Sequence, residues 1–256
     1  MEIPGGQVFA RRWDPAVVAS GIPLVLLHDS LGCVGLWRDF PAALARRLSR
    51  PVIAYDRLGY GRSSPLLAMP SADFIHKEAE EHFPAVLSKL GVHEFILFGH
   101  SVGGAMALLI ASRAADSCVA VVSESAQAFV EERTLSGIRK AREQFQGLGQ
   151  LDRLRRWHGA KAEWVLGAWT GVWLSPEFAS WSLEPDLPSV RCPVLALHGD
   201  RDEYGSARFP ELICRLAGGP TELHILEGCG HVPHRERRDV VAELVAGFLA
   251  ARRRAS

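Results

Sequence analysis

The sequence has no excess charge of either sign and no hydrophobic run long enough to cross a membrane. Its 29 lysine and arginine residues balance 29 aspartate and glutamate residues, whereas nucleic-acid-binding domains are usually strongly basic. The longest apolar stretch runs only from Val102 to Ala111, and a membrane-spanning helix needs about 20 apolar residues. The one basic run, Arg252–Arg254, is predicted to be a solvated tail. We therefore expect no nucleic-acid partner and no membrane partner.

Cysteine is scarce, and no two of the five cysteines form a Cys-x-x-Cys pair. The first residues also lack the basic and apolar segments of a secretion signal. An odd number of scattered cysteines without such a signal is typical of reduced thiols, so we predict a cytoplasmic protein. Cys33 and Cys229 are interpreted as small packing residues.

The sequence does contain a series of short apolar segments rich in β-branched residues. Continuous apolarity of this kind is typical of strands that are buried on both faces, as in a parallel sheet. The predicted strands are Ile22–Leu27, Val52–Tyr55, Glu94–Phe98, Val119–Val122, Val194–Leu197 and Leu223–Leu226. Helical patterns occupy residues 72–90, 102–114 and 237–250, and Pro84 is expected to kink or split the first of them. Strands that alternate with helices predict an α/β fold.

The alternation stops between residues 125 and 189, which contain helical patterns but no convincing strand. Five of the seven tryptophans lie in this segment. A strand-free segment between two strands of one sheet indicates a helical insertion. We therefore divide the chain into an α/β core domain, residues 1–124 and 190–256, and a helical lid, residues 125–189.

One motif indicates a nucleophile. Residues Gly99–Gly103 read Gly-His-Ser-Val-Gly, directly after a predicted strand and directly before a predicted helix. The pattern G-x-S-x-G requires this context, because the serine sits on a sharp turn that leaves no room for neighbouring Cβ atoms. The spacing therefore predicts that the Ser101 hydroxyl projects from the end of the sheet.

A serine hydroxyl needs a base to take its proton and an acid to orient that base. His231 is the best candidate base because it lies on a glycine-rich loop after the last predicted strand. Asp200 and Asp202 both follow the preceding strand, and the residues alone barely separate them. Asp202 has the better reach, since the loop has room to turn after Gly199. A zinc site at His231 and His234 is not predicted, because the sequence supplies no evident carboxylate or cysteine to complete it.

These motifs make the chain resemble the α/β-hydrolase superfamily from about residue 7 to residue 250. Four motifs match in order: His28–Gly32, Asp56–Ser63, Gly99–Gly103, and the pair Gly199–Asp202 and Gly228–His231. The resemblance implies a mostly parallel sheet of eight strands, or of seven without the opening strand. It also implies a helical lid after the sixth strand.

The resemblance further implies roles for particular residues. Asp202 is the acid of the catalytic triad, since the family pattern is Gly-x-x-Asp. The backbone N–H groups of Ser30 and Val102 form the oxyanion hole. The chain departs from the family at Asp29, where the usual residue is glycine, so a carboxylate is expected close to the developing negative charge unless it turns away.

The function implied is that of a serine hydrolase that cleaves a small to medium, largely apolar carboxylic ester, thioester or lactone. No cofactor and no metal are implied, and the partner is a small acyl substrate. Trp169, Trp173 and His100 are predicted to line the substrate pocket. Two alternatives stay open: a fold-related lyase or carbon–carbon hydrolase, and a small-ligand receptor with slow turnover. Whether the protein is a monomer or a homodimer is left open.

Overall fold

Seven strands form one sheet in the computed structural model, which describes residues 1–253 and the side chains of residues 1–251. The run Arg252–Arg254, predicted to be a solvated tail, lies outside the described side chains. In chain order, the strands of the protein are β1 (Glu2–Ile3), β2 (Gly6–Gln7), β3 (Ala10–Trp13), β4 (Leu24–Leu27), β5 (Val52–Tyr55), β6 (Phe95–His100), β7 (Cys118–Glu124), β8 (Val194–Gly199) and β9 (Thr221–Leu226).

The order of strands in the large sheet is β3-β5-β4-β6-β7-β8-β9. Every pair is parallel except the edge pair, in which β3 runs antiparallel to β5. All residues of β4, β5, β6 and β8 are buried, because helices cover both faces. The prediction of a mostly parallel α/β sheet is confirmed. The six predicted strands are confirmed as well, each to within two residues at its ends.

The sheet has seven strands rather than eight. The first residues turn back at Gly5 and Gly6, whose φ angles are +94° and +142°, so β1 pairs with β2 and not with the sheet. Strand β3 joins the edge but was missing from the predicted strands, because its sequence Ala-Arg-Arg-Trp is not an apolar run. Its Arg11 and Arg12 are exposed, as an edge position allows.

Helices connect the strands. They are α1 (Phe40–Leu48), α2 (Phe74–Lys77), α3 (Phe83–Leu90), α4 (Val102–Arg113), α5 (Glu132–Gln144), α6 (Gln150–His158), α7 (Ala162–Trp173), α8 (Arg208–Leu216), α9 (Pro233–Glu236) and α10 (Arg238–Arg253). The expected break near Pro84 is a π turn over Glu78–His82 that separates α2 from α3. Among residues 1–253, none of the helices has the length and apolarity that crossing a bilayer requires.

Residues 125–189 contain α5, α6 and α7 and connect β7 to β8. The one β interaction within them is an isolated bridge between Phe129 and Ser182. The segment follows the fifth strand of this sheet rather than the sixth, because the opening strand of the eight-strand arrangement is absent. The division into a core and a lid stays a prediction.

The sheet separates two hydrophobic layers. Val25, Leu27 and Leu97 face the layer that contains α3 and α4. Leu24 and Phe98 face the opposite layer, which contains α1 and α10. Because the loops after β4, β6, β8 and β9 all leave the same edge of the sheet, their polar residues meet there.

Candidate active site

The turn after β6 holds Ser101 in a backbone conformation that few residues other than glycine adopt. Its φ and ψ angles are 57° and −126°, a strained combination that persists because the surrounding structure imposes it. A Cβ atom at Gly99 would lie 2.1 Å from the backbone oxygen of Gly103, and one at Gly103 would lie 2.2 Å from that of Leu27. The two glycines therefore let α4 cross directly over the ends of β4 and β6.

Three of the residues predicted from the sequence meet at this turn. The Ser101 Oγ and His231 Nε2 atoms are 3.0 Å apart. On the other side of the ring, His231 Nδ1 lies 2.8 Å from Asp202 Oδ2 and 2.9 Å from Oδ1. The imidazole thus connects the hydroxyl to the carboxylate, the geometry of a nucleophile, a base and an orienting acid.

The carboxylate that contacts His231 belongs to Asp202, not to Asp200. Asp202 is fully buried, and its Oδ1 atom also accepts the backbone N–H groups of Tyr204 at 2.7 Å and Gly205 at 3.1 Å. Asp200 instead accepts the backbone N–H of Cys229 at 3.2 Å, which braces the loop that leads to His231.

Asp202 and His231 shift each other's pKa in opposite directions. Burial alone would raise the pKa of Asp202, but the charge and hydrogen bond of His231 outweigh burial and hold that pKa below its usual value. Burial alone would lower the pKa of His231, but the charge and hydrogen bond of Asp202 raise it above 6.5. His231 therefore stays protonated to higher pH than a free imidazole, and it can accept a proton only above its raised pKa.

Two backbone N–H groups lie beside the turn without a partner. Within residues 1–253, neither the Ser30 N–H nor the Val102 N–H donates a hydrogen bond. The peptide that carries the Ser30 N–H is held from its carbonyl side, because Arg57 Nη2 and His28 Nδ1 each lie 2.8 Å from the Asp29 oxygen. These donors are available for an anionic oxygen, which agrees with the predicted oxyanion hole but does not test it.

Asp29, the residue that departs from the family pattern, directs part of its carboxylate away from Ser101. Its Oδ2 atom lies 3.7 Å from His100 Nδ1, and its Oδ1 atom packs so closely on Gly32 that a Cβ there would lie 2.2 Å away. Asp29 also borders the cavity in front of Ser101. The aspartate therefore adds negative potential to the site and contributes to the raised pKa of His231.

A cavity of about 250 Å³ opens in front of Ser101 and His231. Trp169 and Trp173, which were predicted to line a substrate pocket, both border this cavity. His100 does not line this cavity, so that prediction is wrong: the side chain is buried behind His231 and its Nε2 atom lies 2.8 Å from the His231 carbonyl oxygen. His100 is the last residue of β6 and directs its side chain into the interior. Ser101, the next residue, lines the cavity.

Several residues of the site were not identified from the sequence. Gln127 is buried and its Nε2 atom lies 3.3 Å from Ser101 Oγ, and the Tyr204 ring lies 4.9 Å from the His231 ring. Thr134 and Ile138 on α5 also line the cavity. Gln127 had one available signal: it follows the carboxyl end of β7, next to the strand that carries the elbow.

A buried carboxylate that was not identified from the sequence lies beside His234. Glu124 at the end of β7 is buried, and its Oε2 atom lies 2.5 Å from His234 Nδ1. Burial raises the pKa of Glu124 to about 7 and lowers that of His234 to about 3. With His100, the three side chains bring potential ligand atoms within 4.8 Å of one another, although each already has a hydrogen-bond partner in the protein.

The two cysteines near the site are buried, as the packing interpretation requires. Burial raises the pKa of Cys33 to about 11 and that of Cys229 to about 12. Both thiols therefore stay protonated at neutral pH, and a protonated thiol is a poor nucleophile.

The order and geometry of these elements can be compared with known proteins. Residues 24–244 match the sequence model of the alpha/beta hydrolase family. The chain belongs to this family. The solved structure of an enol-lactonase from Burkholderia xenovorans has a TM-score of 0.74 at 18% identity, with 97% of this chain and 98% of that chain covered. At that identity the likeness shows the fold alone.

Curated relatives of this α/β hydrolase include more than one kind of enzyme. It is 27% identical over 263 residues to 2-hydroxy-6-oxo-2,4-heptadienoate hydrolase of Pseudomonas putida, with 91% of each chain covered. It is 39% identical over 94 residues to 1-acylglycerol-3-phosphate O-acyltransferase ABHD5 of Sus scrofa, which covers 35% of this chain. The chain spans only 25% of the length of that acyltransferase. The hydrolases among these relatives support the view that this chain is a hydrolase.

The close packing of α4 on the sheet generates a prediction about stability. Gly103→Ala should lower the free energy of unfolding by about 3 kcal/mol, because its Cβ must displace the backbone at Leu27. Gly171→Ala on α7 is the matched control, since it meets no atom within 4 Å and should stabilise the helix by about 0.5–1 kcal/mol. Urea unfolding of both variants measures the difference. Equal effects would contradict the steric argument.

The charge of Asp202 generates a second prediction. Asp202→Asn should lower the pKa of His231, because the attraction that opposes its burial is removed. Asp200→Asn should leave that pKa unchanged, since Asp200 contacts the Cys229 backbone instead. An NMR titration of the imidazole resonances in the two variants gives both values. A lowered pKa in Asp200→Asn alone would reverse the assignment of the two carboxylates.

Proposed function

We propose that the protein is a serine hydrolase that cleaves a small to medium, largely apolar carboxylic ester, thioester or lactone through an acyl-enzyme intermediate. The observation that carries this proposal is the chain of hydrogen bonds from Ser101 through His231 to Asp202, which opens onto a cavity. We place Ser101 as the nucleophile, His231 as the base and Asp202 as the orienting acid.

In the first half of the reaction, Ser101 Oγ attacks the acyl carbon while its proton passes to His231 Nε2. The negative charge that develops on the carbonyl oxygen is stabilised by the N–H groups of Ser30 and Val102. Asp202 stabilises the imidazolium and holds Nδ1 in its protonated form. When the bond to the leaving group breaks, His231 returns the proton to the departing alcohol or thiol.

In the second half, water replaces the leaving group. His231 Nε2 accepts a proton from the water as its oxygen attacks the ester bond between the acyl group and Ser101. The tetrahedral oxygen again meets the Ser30 and Val102 N–H groups. Collapse of this intermediate releases the carboxylic acid and returns the proton to Ser101 Oγ, so the enzyme is regenerated without a cofactor.

The lining of the cavity supports a neutral, apolar acyl group. Trp169, Trp173 and Ile138 supply its apolar wall, and the carboxylates of Asp29 and Glu203 border it. No lysine or arginine lines this cavity within the described residues. An anionic substrate would therefore meet repulsion without a compensating cation, whereas a neutral ester or lactone would not.

A carbon–carbon hydrolase is the second candidate. It is favoured by the relative 2-hydroxy-6-oxo-2,4-heptadienoate hydrolase, which aligns with 91% of the chain. Against it, such hydrolases often carry tryptophan after the catalytic histidine, where this chain has Val232. Measuring kcat/KM for a panel of aryl esters, lactones and a 2-hydroxy-6-oxo dienoate separates the two. A dienoate preferred over every ester would replace the first proposal with the second.

We also propose a cytoplasmic location and a small acyl molecule as the partner. All five cysteines are free thiols, which supports a reducing compartment.

Covalent labelling tests the nucleophile. A fluorophosphonate should add once to the protein, at Ser101, because the neighbouring base activates this hydroxyl alone. Ser101→Ala should abolish the adduct, whereas Ser123→Ala, which changes a buried serine on β7, should keep it. Intact mass shows whether one adduct has formed, and peptide mapping shows which residue carries it. Labelling that persists in Ser101→Ala would overturn the serine mechanism.

The two cavity tryptophans should respond differently to truncation. Trp169 is half-buried with its ring 5.8 Å from Tyr204, so Trp169→Ala should change the preferred acyl-chain length while the folded protein still reacts with a fluorophosphonate. Trp173 is buried against Phe178 and Trp181, so Trp173→Ala should cost about 3–5 kcal/mol of stability. Melting temperatures and a chain-length series of esters distinguish the two effects. Unchanged selectivity in Trp169→Ala would assign that ring to packing.

A further inference from the structure

A second cavity lies beside the one in front of Ser101. Its volume is also about 250 Å³, and the two cavities share no lining residue. The walls of the second cavity come mainly from the loop after β5, the segment 66–82 and the helix α7. Its apolar lining consists of Leu58, Tyr60, Leu66, Ala68, Met69, Pro70, Phe74, Met106 and Trp164. The enzyme mechanism uses none of these side chains.

One cation borders this cavity from a buried position. Arg57 is only 3% exposed, and it forms no ion pair with any residue of the part of the chain that the structure describes. Its Nη2 atom is committed to the Asp29 carbonyl oxygen, but the acceptor of Nη1 is the Met106 sulfur at 3.5 Å. A thioether is a weak acceptor, and Met106 lines the same cavity.

The one buried carboxylate of the cavity is already satisfied. Glu78 Oε1 accepts the hydroxyl of Tyr55, and Oε2 lies 3.3 Å from His82 Nδ1. The hydrogen bond to Glu78 raises the pKa of His82. Glu78 is therefore bonded to Tyr55 and His82 and not to Arg57, whose guanidinium has no carboxylate partner among the residues that the structure describes.

A buried guanidinium without an anion is costly, because it has lost water without gaining a charged partner. We propose that this cavity is a second ligand site, and that its ligand is a small monocarboxylate with an apolar tail. The carboxylate pairs with Arg57, and the tail contacts Leu66, Met69 and Phe74. Lys77 also borders the cavity, but its Nζ atom lies 3.5 Å from Asp73 Oδ2, so the preference for an anion rests on Arg57.

Binding calorimetry with hexanoate and 1-hexanol tests this site, because the two probes differ in charge but share an apolar tail. Hexanoate should bind at least about tenfold more tightly than 1-hexanol, a difference of about 1.4 kcal/mol. Ala68→Trp places an indole at an exposed position of the second cavity and should weaken hexanoate binding about tenfold or more. Val232→Trp is the matched control, because it narrows the cavity in front of Ser101 instead.

A second variant keeps the test informative if Ala68→Trp does not fold. Met69→Glu puts a negative charge on a side chain that is 56% exposed, so the fold should persist. Both probes lose the Met69 contact, but only hexanoate meets repulsion from the added charge, so hexanoate binding should weaken more than 1-hexanol binding. Three results would each overturn the proposal: no hexanoate binding, equal binding of both probes, or binding lost in Val232→Trp and kept in Ala68→Trp. None of these results depends on ester turnover, so failure here is separable from failure of the proposed hydrolase activity.

Discussion

The contact on which the site depends is the close approach of α4 to the ends of β4 and β6. It is possible only because Gly99 and Gly103 lack Cβ atoms, each of which would lie within 2.2 Å of a backbone oxygen. This approach forces Ser101 into its strained conformation and leaves the Val102 N–H at the start of α4 beside it. It also brings the loop after β4, with Ser30, next to the serine. A steric constraint on two glycines thus sets the positions of the proposed nucleophile and of both candidate oxyanion donors.

The electrostatics of the site depend on a few charged and polar groups that hydrogen bonds from neighbouring segments hold in place. Asp202 receives two backbone N–H groups in addition to His231, so its charge is compensated without solvent. The peptide between Asp29 and Ser30 is held by Arg57 and His28 through its carbonyl oxygen, and a cation bonded to that oxygen makes the Ser30 N–H a stronger donor. Asp29 has the opposite effect on an oxyanion, because its own negative charge borders the cavity where the oxyanion would develop. The two effects oppose each other across a single peptide unit.

Sequence reasoning identified the sheet, the elbow and the group Ser101, His231 and Asp202, because each has a local signature in the sequence. Buried parallel strands are continuous apolar runs, and the elbow needs glycines at fixed positions. Sequence analysis did not identify strand β3, because edge strands tolerate arginine. It also did not identify Gln127, Glu124 and Tyr204, because these residues reach the site only when distant segments pack together. The error at His100 has the same origin: periodicity places a side chain on one side of a strand, but it does not reveal which side faces the cavity when both sides are buried.

The hydrogen bond between Ser101 and His231 joins residues 130 positions apart. The elbow itself is built from segments that end near residue 124, whereas the base arrives with the loop after β9, among the last elements of the chain. A growing polypeptide therefore carries the serine long before it carries the group that would activate it. In the proposed mechanism, the hydroxyl is not activated until the loop after β9 has been synthesised. The same packing of distant segments that completes the sheet then brings the proposed base to the proposed nucleophile.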